Sequence, residues 1–130
     1  MKQEESMEKF SVSKRLKSFR HAFHGLRFSL LRDHNMRVHL FAAILAILAG
    51  FIFKITLGEW IAIIFSIGFV ISIELINSAI EMLADFISPG HHPDIGKIKD
   101  LAAAAVLIAA ITAVAIGLFV FVPHVLHLMK

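Results

Sequence analysis

Residues 60–87 read WIAIIFSIGFVISIELINSAIEMLADFI, and this stretch decides the fold. It opens on Trp60, an interfacial anchor residue, and at about 1.5 Å per helical residue it is long enough to cross a hydrocarbon core of about 30 Å. At about 100° per residue, Asn77, Ser78, Glu81 and Asp85 all fall within about 60° of Glu74, so one polar stripe marks an otherwise apolar helix. A carboxylate near mid-membrane costs roughly 2.5 to 3.5 kcal/mol on insertion scales, and acids kept there against that cost point to function. Hydrogen bonding between helices is the plainer explanation, but Asn77 and Ser78 would serve it without carboxylates.

Depth separates the roles of the acids. Counted from Trp60, Glu74 lies about 21 Å in, Glu81 about 31 Å and Asp85 about 37 Å. Glu74 is thus below the inner headgroup level, and Glu81 is at it. Burial disfavours the ionised carboxylate, which suits Glu74 to act as a general base on a hydroxyl held at lipid level. Glu81, nearer water, is better placed to hold a divalent cation.

The rest of the 130-residue chain agrees with a membrane class: it is 58% hydrophobic with a mean hydropathy of +0.78, too apolar for an ordinary soluble domain. Cysteine is absent, which removes disulfides, thiolate metal sites and cysteine nucleophiles. The net charge of +3 is concentrated, with nine of thirteen Lys and Arg in residues 1–37. That distribution fits a membrane surface and not a nucleic-acid partner. No secretory leader is readable ahead of the first apolar run, so the N-terminus is expected in the mature protein.

Residues 1–11 read as a flexible tail. From Val12 the apolar residues Val12, Leu16, Phe19, Phe23, Leu26 and Leu30 recur at spacings of three and four, which predicts a basic amphipathic helix over 12–32 lying in the interface plane. Transmembrane helices are expected at about 36–54, 60–87 and 100–122, making one all-α integral membrane domain over 1–130. Lys and Arg place eleven residues on one side and two, Lys54 and Lys130, on the other, so the N-terminus is expected to be cytoplasmic. Small residues recur every fourth position at Ala42, Ala46 and Gly50, and at Ala105, Ala109, Ala113 and Gly117, as in helices that associate closely in lipid. Three thin helices enclose little volume, and a homo-oligomer is expected.

Further candidates flank the spans on the cytoplasmic side. Asp33 is the sole carboxylate between Phe10 and Ile52. It is either the partner of Glu81 in a two-carboxylate magnesium site or a surface ion pair with Arg37. In the loop before the third span, Lys99 and the free amides of a helix start could hold phosphate, while Asp100 either caps that helix or meets a nucleotide. His91 and His92 are neighbours, which seldom share a metal, and read as a solvated turn or a nucleotide contact. There is no GxxxxGK[ST] loop, so a nucleotide must sit against the membrane edge.

The run Glu74-x-x-Asn77-Ser78-Ala79-Ile80-Glu81-x-x-x-Asp85, followed by Lys99-Asp100-x-x-Ala103-Ala104-Ala105-Val106, resembles the prokaryotic diacylglycerol kinase family, which includes the undecaprenol kinases. The likeness covers about Leu16 to Leu107. Asn35-Met36-Arg37-Val38-His39 and His92-Pro93 look more like the Gram-positive branch, whose members favour undecaprenol over diacylglycerol. The resemblance implies a bacterial plasma-membrane homotrimer with active sites shared between subunits, using ATP and Mg2+ to phosphorylate a lipid alcohol. It makes Glu74 the catalytic base and gives Asp33 and Glu81 the magnesium that carries ATP. It sets Lys99, Asp100, Gly90, His91 and His92 around the nucleotide, with Lys14 and His21 at further nucleotide-contact positions. Two residues depart from the family pattern: Asp33 stands where glutamate is usual, and Ala104 replaces a common glycine.

Phosphoryl transfer needs mainly positioning and charge neutralisation, which suits so small a chain. A small oligomeric ion or proton conductor would also keep Glu74 and Glu81 in the membrane, but has no need of Lys99, Asp100 and a basic helix gathered on one face.

Overall fold

The computed structural model describes residues 12–129; the expected N-terminal tail lies outside them. Four helices follow in order: α1 (Val12–Arg32), α2 (His34–Phe53), α3 (Leu57–Ile87) and α4 (Pro93–Leu128), with no strand among the described residues. The last three, of 20, 31 and 36 residues, are long and apolar enough to cross a membrane. Large apolar side chains face away from the chain: Phe65 is 70% exposed, Phe119 81% and Phe86 85%. Faces of that kind fit a membrane or a neighbouring copy.

Each connection is dictated locally. A single extended residue, Asp33 (φ −97°, ψ 121°), separates α1 from α2. At the far end Lys54 takes the left-handed conformation (φ 51°) and ends α2, the Ile55 N–H returning to the Gly50 carbonyl at 3.2 Å. Thr56 then starts α3 with a capping box: its hydroxyl accepts from the Glu59 N–H at 3.4 Å, and its own N–H donates to Glu59 Oε2 at 2.7 Å. This tight turn folds Trp60 back over Gly50, where an added Cβ would lie 2.7 Å from the indole. Glycine is required there by close approach and not by backbone angle.

α3 packs most extensively on α4 and next on α2. Ile55, Ile63 and Val120 form the buried cluster at the Trp60 end, flanked by Ala46, Phe53 and Phe121. Glu59 Oε1 meets His124 Nε2 at 3.1 Å across the same end.

The structure corrects two expectations. α4 begins at Pro93, so Asp100 is in the helix and does not cap it; His92 does, its Nδ1 accepting from the Asp94 N–H at 3.3 Å, with Pro93 in the first turn where its missing N–H costs nothing. The free amides of the helix start therefore lie several residues ahead of Lys99. The small-residue stripe is also spent partly within the chain, since Gly50 is buried under Trp60 and Ala109 is only 1% exposed. Ala109 is thus not a surface for a second copy.

Candidate active site

The polar stripe of α3 meets the α1–α2 break in a cleft of about 190 Å³. Arg32, Asp33, His34 and Asn35 line it from one side, and Glu74, Asn77, Ser78 and Glu81 from the other. α2 and α3 run antiparallel through the short Lys54–Thr56 turn, which returns the acids of α3 to the level where α2 begins.

Glu74 is 1% exposed, the most buried charged residue described, and its Oε2 has no hydrogen-bond partner. Asn77 donates from Nδ2 to Glu81 Oε1 at 3.2 Å, while its Oδ1 is buried without a partner. Among the described residues these are the two buried side-chain polar atoms left unpaired, and both are oxygens of residues that line one cleft. Buried polar groups are ordinarily satisfied, so a pair of orphans in one place makes this cleft the candidate site.

Asp33 is turned into the same region. Its Oδ2 accepts from Ser78 Oγ at 2.7 Å and from Ser29 Oγ at 2.9 Å. The expected alternative, an ion pair with Arg37, is not formed: the two residues are linked only through the backbone, Arg37 N–H to Asp33 carbonyl at 3.5 Å. Hard carboxylate and amide oxygens suit magnesium, which keeps several waters and takes one or two carboxylates together with phosphate. No three His, Asp or Glu side chains among the described residues gather closely enough to enclose a metal by themselves.

Other expected site residues lie outside the cleft. Asp85, the last acid of the stripe, is bound to Lys99 Nζ at 2.8 Å, joining the end of α3 to the second turn of α4. Asp100, Gly90 and His91 are exposed, and His92 is occupied with its cap. Lys14 and His21 lie on α1, about 28 Å and 18 Å from Asp33 along the helix axis by the usual rise. Sequence reading passed over Ser29, the one buried residue of α1. Its signal was a serine four residues before the only acid of the segment.

Beside the cleft, an open and mainly apolar groove of about 930 Å³ runs between α1 and α3. Gly25, Phe28 and Ser29 line one wall, and Leu75, Ala79 and Met82 the other, while Ser78 borders both groove and cleft.

Comparison with known proteins gives a consistent result. A family profile described as prokaryotic diacylglycerol kinase matches residues 20–121. The chain is 38% identical over 107 residues to the undecaprenol kinase of Bacillus subtilis (strain 168), covering 82% of this chain and 87% of that one. It is 33% identical to the diacylglycerol kinase of Synechocystis sp. over 88% of this chain and 66% of that one. Against the diacylglycerol kinase of Escherichia coli (strain K12), identity is 32% over 76% of this chain and 81% of the other.

Proposed function

The chain belongs to the prokaryotic diacylglycerol kinase family of membrane lipid kinases, and from that premise we propose that it transfers the γ-phosphate of ATP to a lipid alcohol, with undecaprenol as the preferred acceptor. The observation that carries the reading is the cleft itself, where a buried Glu74 with an unpaired oxygen faces the same space as Asp33, Asn77 and Glu81. An ion pathway has no need of an apolar groove ending at such a cleft.

In this reading the acceptor's hydrocarbon chain lies along the α1–α3 groove, which supports a lipid whose hydroxyl reaches the cleft past Ser78. Glu74 Oε2 takes the hydroxyl proton as the oxygen attacks the γ-phosphorus; the bond to the bridging oxygen breaks and ADP leaves. With no competing partner, that oxygen is free to accept the proton. Asn77 steadies Glu81 through its amide, and Asp33 and Glu81 offer oxygens to the cation that accompanies ATP. Magnesium bound there would neutralise phosphate charge as the transferred group loosens from ADP.

Lys99 and Asp100, with Gly90, His91 and His92, form the proposed nucleotide surface. Lys14 and His21 join it from α1, and the sites are shared between neighbouring copies in a homotrimer. The apolar face of α1, with Val12, Leu16, Phe19 and Phe23 largely uncovered, supports a helix lying on the cytoplasmic membrane surface.

The test is phosphorylation by the purified full chain in matched micelles, with γ-labelled ATP and undecaprenol or diacylglycerol side by side. Label in both lipids with higher kcat/KM for undecaprenol is expected. A higher kcat/KM for diacylglycerol overturns the acceptor preference, and no label in either lipid overturns the kinase reading. The preference draws on the 38% identity to an undecaprenol kinase and on the segments 35–39 and 92–93.

A further inference from the structure

We propose that Ser29 is a positioning residue for the cation site: its hydroxyl, with that of Ser78, pins one carboxylate oxygen of Asp33 so that the other is presented to the cleft. This rests on the reading of Asp33 as a cation-binding carboxylate.

The contacts are specific. Ser29 is 2% exposed on a helix that otherwise buries nothing. It is tied to Asp33 twice, its carbonyl accepting from the Asp33 N–H at 2.8 Å and its hydroxyl donating to Oδ2 at 2.9 Å. Ser78 donates to the same Oδ2 at 2.7 Å from α3, 45 residues away in sequence. Donors from two helices, α1 and α3, therefore converge on one carboxylate oxygen. Both donors are on Oδ2, and no hydrogen bond within the described residues goes to Oδ1.

Asp33 occupies the N-cap position of α2, where an aspartate ordinarily accepts from the first helical amides, yet it makes no side-chain cap bond. The orientation is thus not set by capping, and the serines set it instead. Aspartate is the shorter of the two carboxylate side chains, so its reach into the cleft depends closely on how it is held. Fixing Oδ2 from two sides holds the shorter carboxylate still without occupying the oxygen that faces a cation. Residues that orient a metal ligand in this way typically change metal affinity about 10- to 100-fold when removed.

The experiment compares wild type, Ser29→Ala, Ser29→Thr, Asp33→Ala and the double variant Ser29→Ala/Asp33→Glu as full chains in micelles. Two quantities are read: manganese(II) binding by electron paramagnetic resonance with a non-hydrolysable ATP analogue, and the magnesium dependence of lipid phosphorylation. Ser29→Ala is expected to weaken manganese binding and raise half-saturating magnesium by about tenfold. Ser29→Thr keeps the hydroxyl and stays near wild type, and the longer carboxylate of the double variant recovers affinity. Unchanged manganese binding in Ser29→Ala overturns the proposal, as does a loss of kcat with no shift in magnesium dependence, which would mark a purely structural serine. If Ser29→Ala does not fold, Ser78→Ala removes the other donor and must show the same shift. Wild-type magnesium dependence in Asp33→Ala sinks instead the underlying metal reading, so the two failures are distinguishable.

Discussion

Gly50→Ala isolates the contact that closes the α2–α3 hairpin and so returns the acids of α3 to the start of α2. The new Cβ would fall 2.7 Å from Trp60 Cη2, 2.9 Å from Cζ2 and 3.1 Å from Ile55 Cδ1. Carbon atoms pack best at about 3.5 to 4.0 Å, so the indole must move by nearly 1 Å. Phe51, with its ring 4.9 Å from that of Trp60, stands against the displacement. Overpacking of this kind costs about 1 to 3 kcal/mol, offset by at most about 1 kcal/mol of improved helix propensity, which leaves a net loss of about 1 kcal/mol. Reversible unfolding in mixed micelles would read it. Trp60→Leu in the same chain should remove the conflict, giving a coupling of about 0.5 to 3 kcal/mol in a double-mutant cycle. Gly117→Ala is the counterpart, since its Cβ meets nothing within 4 Å of its own chain. A loss of stability there reports a neighbouring copy on that face of α4. A Gly50→Ala chain as stable as wild type and independent of Trp60 would refute the close contact.

Three other outcomes follow from particular residues. Asp33→Ala should raise the magnesium requirement and cut turnover far beyond the roughly 0.2 to 1 kcal/mol of a lost surface ion pair, whereas Asp33→Glu should keep or improve apparent magnesium affinity; a magnesium titration decides both. Lys54→Gly should stabilise the chain by about 1 kcal/mol, because Lys54 sits at φ 51°, where a side chain is strained; an unchanged or lowered unfolding midpoint would contradict this. Asp85→Asn frees Lys99 from its 2.8 Å contact and should raise KM for ATP, while stability falls by less than about 1 kcal/mol because both partners are more than a third exposed. A wild-type KM would make the pair a surface ornament.

The spans were legible because hydropathy alone decides them, and the acidic stripe because its period is that of a helix. The start of α4 was not, since Gly90-His91-His92-Pro93 reads as loop until it is seen that the imidazole caps and the proline begins the helix. Periodicity announced that Ala109 and Gly50 lie on close-packed faces but could not say whose helix approaches; within the chain, both are already covered. Ser29 escaped notice because a serine on a basic amphipathic helix carries no signal until Ser78 arrives from α3. Lys14 and His21 stand far from the acids along α1, and one sequence holds no geometry between copies.

Glu74→Gln tests most directly whether Glu74 is the base for the lipid hydroxyl. Glutamine keeps the shape of a side chain that is 1% exposed but cannot accept the proton. Measured as label moved from γ-labelled ATP into extracted lipid, the variant should lose about 10²-fold or more of the wild-type rate, with ATP affinity and unfolding midpoint nearly unchanged. Retention of more than about a tenth of that rate would show that the proton goes elsewhere and that the cleft does not work as described.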